Sequence, residues 1–176
     1  MSLLIISGSL NSDSYSRLLA REAERVLRAD GQQVATLDLR DLPLPFCDGD
    51  KTREHPNVLA AQRMIAPAAG VIIATPIYNY DANAAVKNLV ELTGAVWENK
   101  VVGFLCTAGA SGSFMSILGL ANSLMLDFRC VIVPRFVYAT GQQFANDAIA
   151  DVKIVGRVAE CARSTAHFAA TLKLAS

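Results

Sequence analysis

Residues 3–16 read Leu-Leu-Ile-Ile-Ser-Gly-Ser-Leu-Asn-Ser-Asp-Ser-Tyr-Ser, and this short segment decides the fold. Its four apolar residues are typical of a buried strand, and the hydroxyl-rich loop after them leads directly into a helical pattern. Backbone N–H groups at the first turn of a helix lack partners and lie at the positive end of the helix dipole. The segment therefore predicts a strand–loop–helix unit whose loop suits a phosphate group.

This loop does not match the common nucleotide-binding motifs. It has neither the Gly-x-x-x-x-Gly-Lys-Ser/Thr pattern of NTPases nor the Gly-x-Gly-x-x-Gly pattern of dinucleotide-binding proteins. A hydroxyl-rich loop without lysine suits the terminal phosphate of a mononucleotide such as FMN. Serines before a helix also act as simple N-caps, so the residues alone leave both interpretations open.

The composition indicates one domain over residues 1–176 with a large core. Hydrophobic residues make up 52% of the chain and charged residues 18%, and 16 basic residues balance 16 acidic ones without charge runs. This balance argues against a nucleic-acid or membrane partner. The two histidines and four scattered cysteines predict no metal site. With no signal peptide and no apolar run of about 18 residues, we expect a cytoplasmic protein with free thiols.

Strand and helix patterns alternate five times, which predicts an α/β fold with helices on both faces of a parallel sheet. The expected sheet is five-stranded with order 2-1-3-4-5, and the fold is a three-layer sandwich. The predicted strands are 2–7, 33–39, 70–75, 100–107 and 130–133, and the predicted helices are 14–29, 57–68, 83–93, 114–128 and 148–172. Gly31 is expected to end the first helix.

Three unusual loops follow neighbouring strands of this sheet: residues 7–16, 76–82 and 107–113. Ligands of parallel α/β sheets bind at the carboxyl ends of the strands, near the topological switch point. The three loops are therefore expected to form one site.

All three loops carry a family resemblance, and the second carries it most clearly. Thr75-Pro76-Ile77-Tyr78-Asn79-Tyr80, followed by Ala-Ala-Val-Lys-Asn at 84–88, resembles the NADPH-dependent FMN reductase family, whose pattern is Pro-Glu-Tyr-Asn, a glycine-containing stretch, then Leu-Lys-Asn. The first loop, and the third with Gly109 and Gly112, resemble the same family. It includes quinone, chromate and azo-dye reductases and sulfonate-assimilation flavin reductases, and its members have the flavodoxin-like fold.

The resemblance implies an FMN site with distinct roles for the three loops. The first loop would hold the FMN phosphate, the second would run along the ribityl chain and ring edge, and the small residues of the third would approach the ring. The implied cofactor-binding residues are Ser9, Asn11, Ser14, Tyr15 and Ser16; Pro76, Ile77, Tyr78, Asn79 and Tyr80; and Thr107, Ala108 and Gly109.

Five positions depart from the family pattern. Asn11 stands where arginine is frequent, Ser16 where asparagine is common, Ile77 replaces glutamate, and Tyr80-Asp81 replaces Gly-Ser. Losing an arginine removes a charge-assisted phosphate bond, which leads to the hypothesis that FMN is an exchangeable substrate; the sequence leaves tightly bound FMN open as well.

Several residues allow a second interpretation. Tyr15 lies on the apolar stripe of its helix and could belong to the core, and Tyr80 could lie at a subunit contact. Lys87 is expected to be a surface lysine and Asp81 a turn residue. Ser111 lacks the spacing of a hydrolase nucleophile elbow.

The helix predicted over 114–128 is apolar on nearly every side, which predicts burial and a subunit interface in a homodimer or homotetramer. The resemblance implies hydride transfer from NADPH or NADH to FMN and onward to a small acceptor such as a quinone or another flavin. No side-chain acid or base is required, so no catalytic residue is predicted. Candidates for binding the 2′-phosphate of NADPH are Arg17, Lys51, Arg53 and Arg135. The alternative is a non-enzymatic flavin-binding protein or a flavodoxin-type electron carrier.

Overall fold

The computed structural model describes residues 2–172, and these form a parallel sheet between two layers of helices. The central strands are β1 (Ser2–Ser7), β2 (Gln33–Asp38), β3 (Ala68–Tyr78) and β5 (Val101–Ala108). They lie in the order β2-β1-β3-β5, with β6 (Val131–Ile132) and β7 (Val137–Thr140) both pairing with β5. The predicted strand order is confirmed.

The helices divide into two layers, each covering one face of the sheet. On one face, α1 (Tyr15–Ala29) and α5 (Val152–Thr171) pack on Leu3 and Ile5. Leu4 and Ile6 alternate with these residues and therefore enter the core on the other face. That second core includes α2 (Pro56–Ile65), α3 (Ala84–Thr93) and α4 (Leu118–Phe128).

The second loop is mostly an extension of the sheet, which the sequence patterns did not predict. β3 continues to Tyr78 and pairs in antiparallel fashion with β4 (Asp81–Ala82). The turn between them consists of Asn79 and Tyr80, both with positive φ (50° and 63°). Positive φ at both central residues is the geometry of a two-residue hairpin turn.

The predicted fifth strand is wrong in its extent. Only Val131–Ile132 pairs beside the start of β5, and the chain then leaves the ladder at Pro134 and Arg135. Proline has no N–H to donate, and Arg135 has a φ of 61°, so neither continues a strand. Pairing resumes at Val137, and a small hairpin of β8 (Phe144–Ala145) and β9 (Ala148–Ile149) precedes α5.

Three helix boundaries also differ from the predictions. The second helix ends at Ile65 rather than 68 because β3 already starts at Ala68. The fourth begins at Leu118, since residues 111–117 form tight turns. The fifth begins at Val152, after β9. The first helix is close to its prediction, and Gly31 follows it with a φ of 76°.

Candidate functional site

The three predicted loops meet at the carboxyl edge of the sheet around a cleft of about 450 Å³. Ten of the thirteen predicted site residues line it: Ser9, Asn11, Ser14, Tyr15, Pro76, Ile77, Tyr78, Thr107, Ala108 and Gly109. Ser16, Asn79 and Tyr80 do not. Asp13 and Gly141 complete the lining and were not predicted.

The first loop presents backbone donors that the described protein does not use. Ser14, the N-cap of α1, makes no side-chain cap; its hydroxyl instead lies 2.8 Å from that of Ser16. Within residues 2–172, the N–H groups of Leu10, Ser12, Ser14, Tyr15 and Ser16 have no hydrogen-bond acceptor. A group of oriented N–H donors at a helix start is an anion site.

Side chains of the first loop support its backbone rather than fill the cleft. Ser9 is buried, and its hydroxyl accepts a bond from the N–H of Asn11 at 3.3 Å. The side-chain oxygen of Asn11 accepts from the N–H of Asp13 at 3.1 Å. Ser16 is fully buried and supports Ser14 from beneath.

Arg17 lies behind the first loop, and this excludes it as a partner for the 2′-phosphate of NADPH. Its guanidinium pairs with both carboxylate oxygens of Asp38, at 2.6 and 3.1 Å. It also donates to the carbonyls of Ser9, Asn11 and Ser12, at 2.9, 2.7 and 3.2 Å. With 6% of its surface exposed, Arg17 has no donor left for a ligand. The sequence offered no sign of this role.

Asn83 joins the first loop to the β3–β4 hairpin, and it too was missed. Its side-chain N–H donates to the carbonyl of Gly8 at 2.6 Å, and its oxygen accepts from the Thr75 hydroxyl at 2.9 Å. The first loop packs tightly against α3 here, since a Cβ added to Gly8 would lie 2.2 Å from the Val86 side chain. The only signal in the sequence is an asparagine at a helix N-cap position, where its side chain makes no cap.

The hairpin turn lies beside the cleft rather than in it. Tyr80 is 72% exposed, and its hydroxyl lies 3.5 Å from the position that a Cβ on Gly112 would take. Its side chain therefore reaches across to the third loop. Asp81 accepts a bond from the N–H of Ala82, as expected of a turn residue, and Lys87 forms a surface ion pair with Glu91.

The third loop is held by Tyr138, a residue of β7 that the sequence did not single out. The Tyr138 hydroxyl donates to the carbonyl of Ala110, so the Ser113 hydroxyl is the donor in the 2.6 Å bond to Tyr138. Phe114 packs against the Tyr138 ring at a centroid distance of 5.5 Å. These contacts fix the turn that follows Gly109.

Tyr15 is half-exposed and does not belong to the core. Its ring stacks on Phe144 of β8, with centroids 4.4 Å apart and planes 10° from parallel. Gly141 lies against the same ring, where an added Cβ would be 3.5 Å from Tyr15. Tyr15 and Gly141 both line the cleft on this side, and Phe144 supports the Tyr15 ring.

Residues 2–172 contain neither a candidate metal site nor a candidate membrane span. No group of histidine, cysteine and acidic residues there could hold a metal ion. No helix in this part of the chain is long and apolar enough to cross a membrane.

Known proteins resemble this chain over most of its length. An "NAD(P)H-dependent FAD/FMN reductase" of Geobacillus thermodenitrificans is 28% identical over 179 residues, covering 98% of this chain and 96% of that protein. An Arabidopsis thaliana "NADPH:quinone oxidoreductase" is 29% identical, covering 74% and 70%.

Solved structures share the architecture. An apo "NADH:FMN oxidoreductase" aligns with a TM-score of 0.78 at 21% identity, covering 99% of this chain and 90% of the other. An archaeal flavodoxin aligns at 0.63 and 10% identity, covering 95% and 100%. The fold is flavodoxin-like. The model of the family described as "NADPH-dependent FMN reductase" matches residues 1–145, which include all three loops of the cleft. On that match, the chain belongs to the NADPH-dependent FMN reductase family.

Proposed function

We propose that the protein is an NAD(P)H-dependent flavin reductase whose cleft binds FMN, with the phosphate on the first loop. The unused N–H groups of Leu10, Ser12, Ser14, Tyr15 and Ser16 carry this proposal, because a phosphate dianion is the ligand that such a donor group favours. The end of β3 and the third loop would then hold the ring system, because the small residues Ala108 and Gly109 of that loop permit close approach.

When bound, FMN would supply the redox chemistry, namely hydride acceptance from NAD(P)H and electron donation to a second molecule. The residues of the chain would bind and orient the flavin. Pro76, Ile77 and Tyr78 at the end of β3 would bind the ring, and Tyr15 would cover it from the side of α1. This transfer needs no side-chain proton donor, so we assign no catalytic residue.

The acceptor in this proposal is a small molecule such as a quinone or a second flavin. The quinone oxidoreductases among the relatives support it. We further propose that FMN exchanges readily, because Asn11 uses its side chain on Asp13 and contributes no charge to the phosphate. Since Arg17 is committed elsewhere, Lys51, Arg53 and Arg135 remain as candidates for the 2′-phosphate of NADPH.

We propose that a second copy covers the outer face of α4. The prediction of an all-round buried helix fails within a single chain: Met115, Leu118, Met125 and Leu126 are exposed, Leu126 by 76%. Apolar exposure of this kind favours a partner surface. Leu126→Glu should convert a homodimer or homotetramer to monomers in light scattering, whereas Val152→Glu should not, although Val152 at the start of α5 is slightly more exposed than Leu126. A monomeric wild type would exclude the interface.

A reducing, cytoplasmic location and a single domain over residues 1–176 complete the proposal. All four cysteines are free, which supports a reducing compartment.

The test is an absorbance spectrum from 300 to 550 nm, recorded with FMN, after desalting, and again under anaerobic NADPH. A retained flavin band that bleaches with NADPH supports a bound-FMN reductase. NADPH consumption only with free FMN supports an exchangeable flavin. Flavin binding without NADPH oxidation would favour a carrier or a binding module, and no flavin binding would refute the site.

A further inference from the structure

The Arg17 guanidinium uses all of its donors, and three of its five bonds go to the backbone of the first loop. Arg17 stands in the first turn of α1, so its side chain turns back beneath the loop. Its five N–H hydrogens meet five acceptors: the two Asp38 oxygens and the carbonyls of Ser9, Asn11 and Ser12. An arginine saturated in this way has a fixed orientation.

Asp38 fixes the guanidinium from the other side. It is the last residue of β2, paired with Ser7 of β1, and its carboxylate also accepts from the N–H of Arg40 at 3.0 Å. Burial opposes ionisation, but the hydrogen bonds and charges of Arg17 and Arg40 outweigh it and hold the pKa of Asp38 below its ordinary value. The end of the sheet is thus tied to the loop through two side chains.

This arrangement decides which way the loop's N–H groups face. In a trans peptide, the carbonyl of one residue and the N–H of the next point in opposite directions. Since the carbonyls of Ser9, Asn11 and Ser12 point to Arg17, the N–H groups of the residues after them face away from it. The N–H of Asp13 donates to the side-chain oxygen of Asn11, whereas the N–H groups of Leu10 and Ser12 have no acceptor among residues 2–172.

The net charge of the Arg17–Asp38 pair explains its effect on the anion site less well than its control over the orientation of the loop's peptide groups does. Asp38 neutralises Arg17, and the pair is mostly buried, so little net charge reaches the cleft. What the pair contributes is the removal of three carbonyl oxygens from the side where an anion would lie. A phosphate then meets donors only.

From these contacts we infer that the Arg17–Asp38 pair is a positioning device that makes the site select flavins carrying a 5′-phosphate. The inference rests on the proposed function, in which the FMN phosphate lies on the first loop. Riboflavin has the same ring and ribityl chain without the phosphate, so its affinity should not depend on the pair. A merely structural pair would change stability and leave the ratio of the two affinities unaltered.

The experiment measures dissociation constants of FMN and of riboflavin separately, by quenching of flavin fluorescence, together with unfolding in urea. For Arg17→Met we expect the Kd of FMN to rise at least tenfold and that of riboflavin to change less than twofold. Arg17→Lys keeps the charge but has three donors for five acceptors. Its Kd for FMN should therefore lie between those of the wild type and Arg17→Met. Arg163→Met is the matched control, because Arg163 forms a two-bond pair with Asp30 far from the loop.

The outcomes separate the two proposals. If the wild type binds FMN no better than riboflavin, the phosphate placement in the proposed function is wrong. If the wild type prefers FMN and Arg17→Met keeps the same ratio of constants, the positioning role is overturned. Should Arg17→Met fail to fold, Arg17→Lys decides by the same ratio, since an unchanged ratio refutes the role and a reduced one supports it.

Discussion

The side-chain amide of Asn83 donates a 2.6 Å hydrogen bond to the carbonyl of Gly8, 75 residues earlier in the chain. This bond connects the end of β1 to the start of α3, and with it two of the three segments around the cleft. Both partners are buried, so neither can replace the bond with water.

Asn83→Ala should lower both stability and flavin affinity. It leaves the buried Gly8 carbonyl without its side-chain donor, which costs about 1–3 kcal/mol of unfolding free energy, and it frees the first loop from the hairpin. Asn88→Ala is the control, because Asn88 also makes two bonds from α3, to Cys47 and Pro45. Urea unfolding should show losses in both variants, and FMN titration a loss only in Asn83→Ala. If both variants weakened FMN binding equally, the specific role of Asn83 at the cleft would be contradicted.

Gly103→Ala should destabilise the protein by about 1–3 kcal/mol, the usual cost of overpacking. The added Cβ would lie 2.5 Å from the Thr165 hydroxyl and 3.2 Å from the Cys161 sulfur, so α5 would have to move off the sheet. Gly156 lies in α5 with open space around it. Gly156→Ala should therefore stabilise the protein by up to about 1 kcal/mol. Thermal unfolding of both variants checks the opposite signs. A Gly103→Ala variant as stable as the wild type would refute the close packing.

Asp38 should make folding stability sensitive to acid. Its pKa is lower in the folded state than its ordinary value of about 3.9, despite burial, because of Arg17 and Arg40. Its contribution is therefore present above the ordinary pKa and is lost as pH falls through the folded pKa. Asp38→Asn should be less stable at pH 7 and lose less on acidification. Asp30→Asn, which removes an exposed ion pair, should change the dependence of stability on pH less than Asp38→Asn does. Urea unfolding of both variants and the wild type from pH 7 to pH 2 checks this.

Thiol labelling of the native protein should modify Cys47 alone. Cys106, Cys130 and Cys161 are buried, and burial raises the pKa of all three, that of Cys161 to about 11. Their thiolates are therefore scarce and inaccessible at pH 8. Mass spectrometry after brief exposure to a thiol reagent should show one adduct, and four in denaturant. Rapid native labelling of Cys106 would place it outside the core.

The sequence predicted the order of the sheet because its strands are apolar runs of clear length. β1 matches its predicted bounds, since Leu3 to Ile6 are bounded by serines. It also predicted which loops meet, because topology alone brings the carboxyl ends of neighbouring strands together. Ten predicted site residues line the cleft for that reason.

The missed features depend on contacts between distant residues. Arg17 is one of several arginines in α1, and only the placement of Asp38 at the end of β2 distinguishes it. In the sequence Asn83 has the position of an ordinary N-cap, and only the fold brings Gly8 beside it. The break at Pro134 and Arg135 depends on local backbone geometry, and the hairpin at Asn79 and Tyr80 depends on positive φ without a glycine.

The interrupted edge beyond β5 has a consequence for how copies of this chain associate. Open strand edges invite pairing with strands of other molecules, and a short, bent edge discourages it. β6 has two residues, β7 has four, and Arg135 bulges between them with a left-handed backbone. The two short strands are not continuous with each other, so this border of the sheet offers a poor template for pairing with a strand of another molecule.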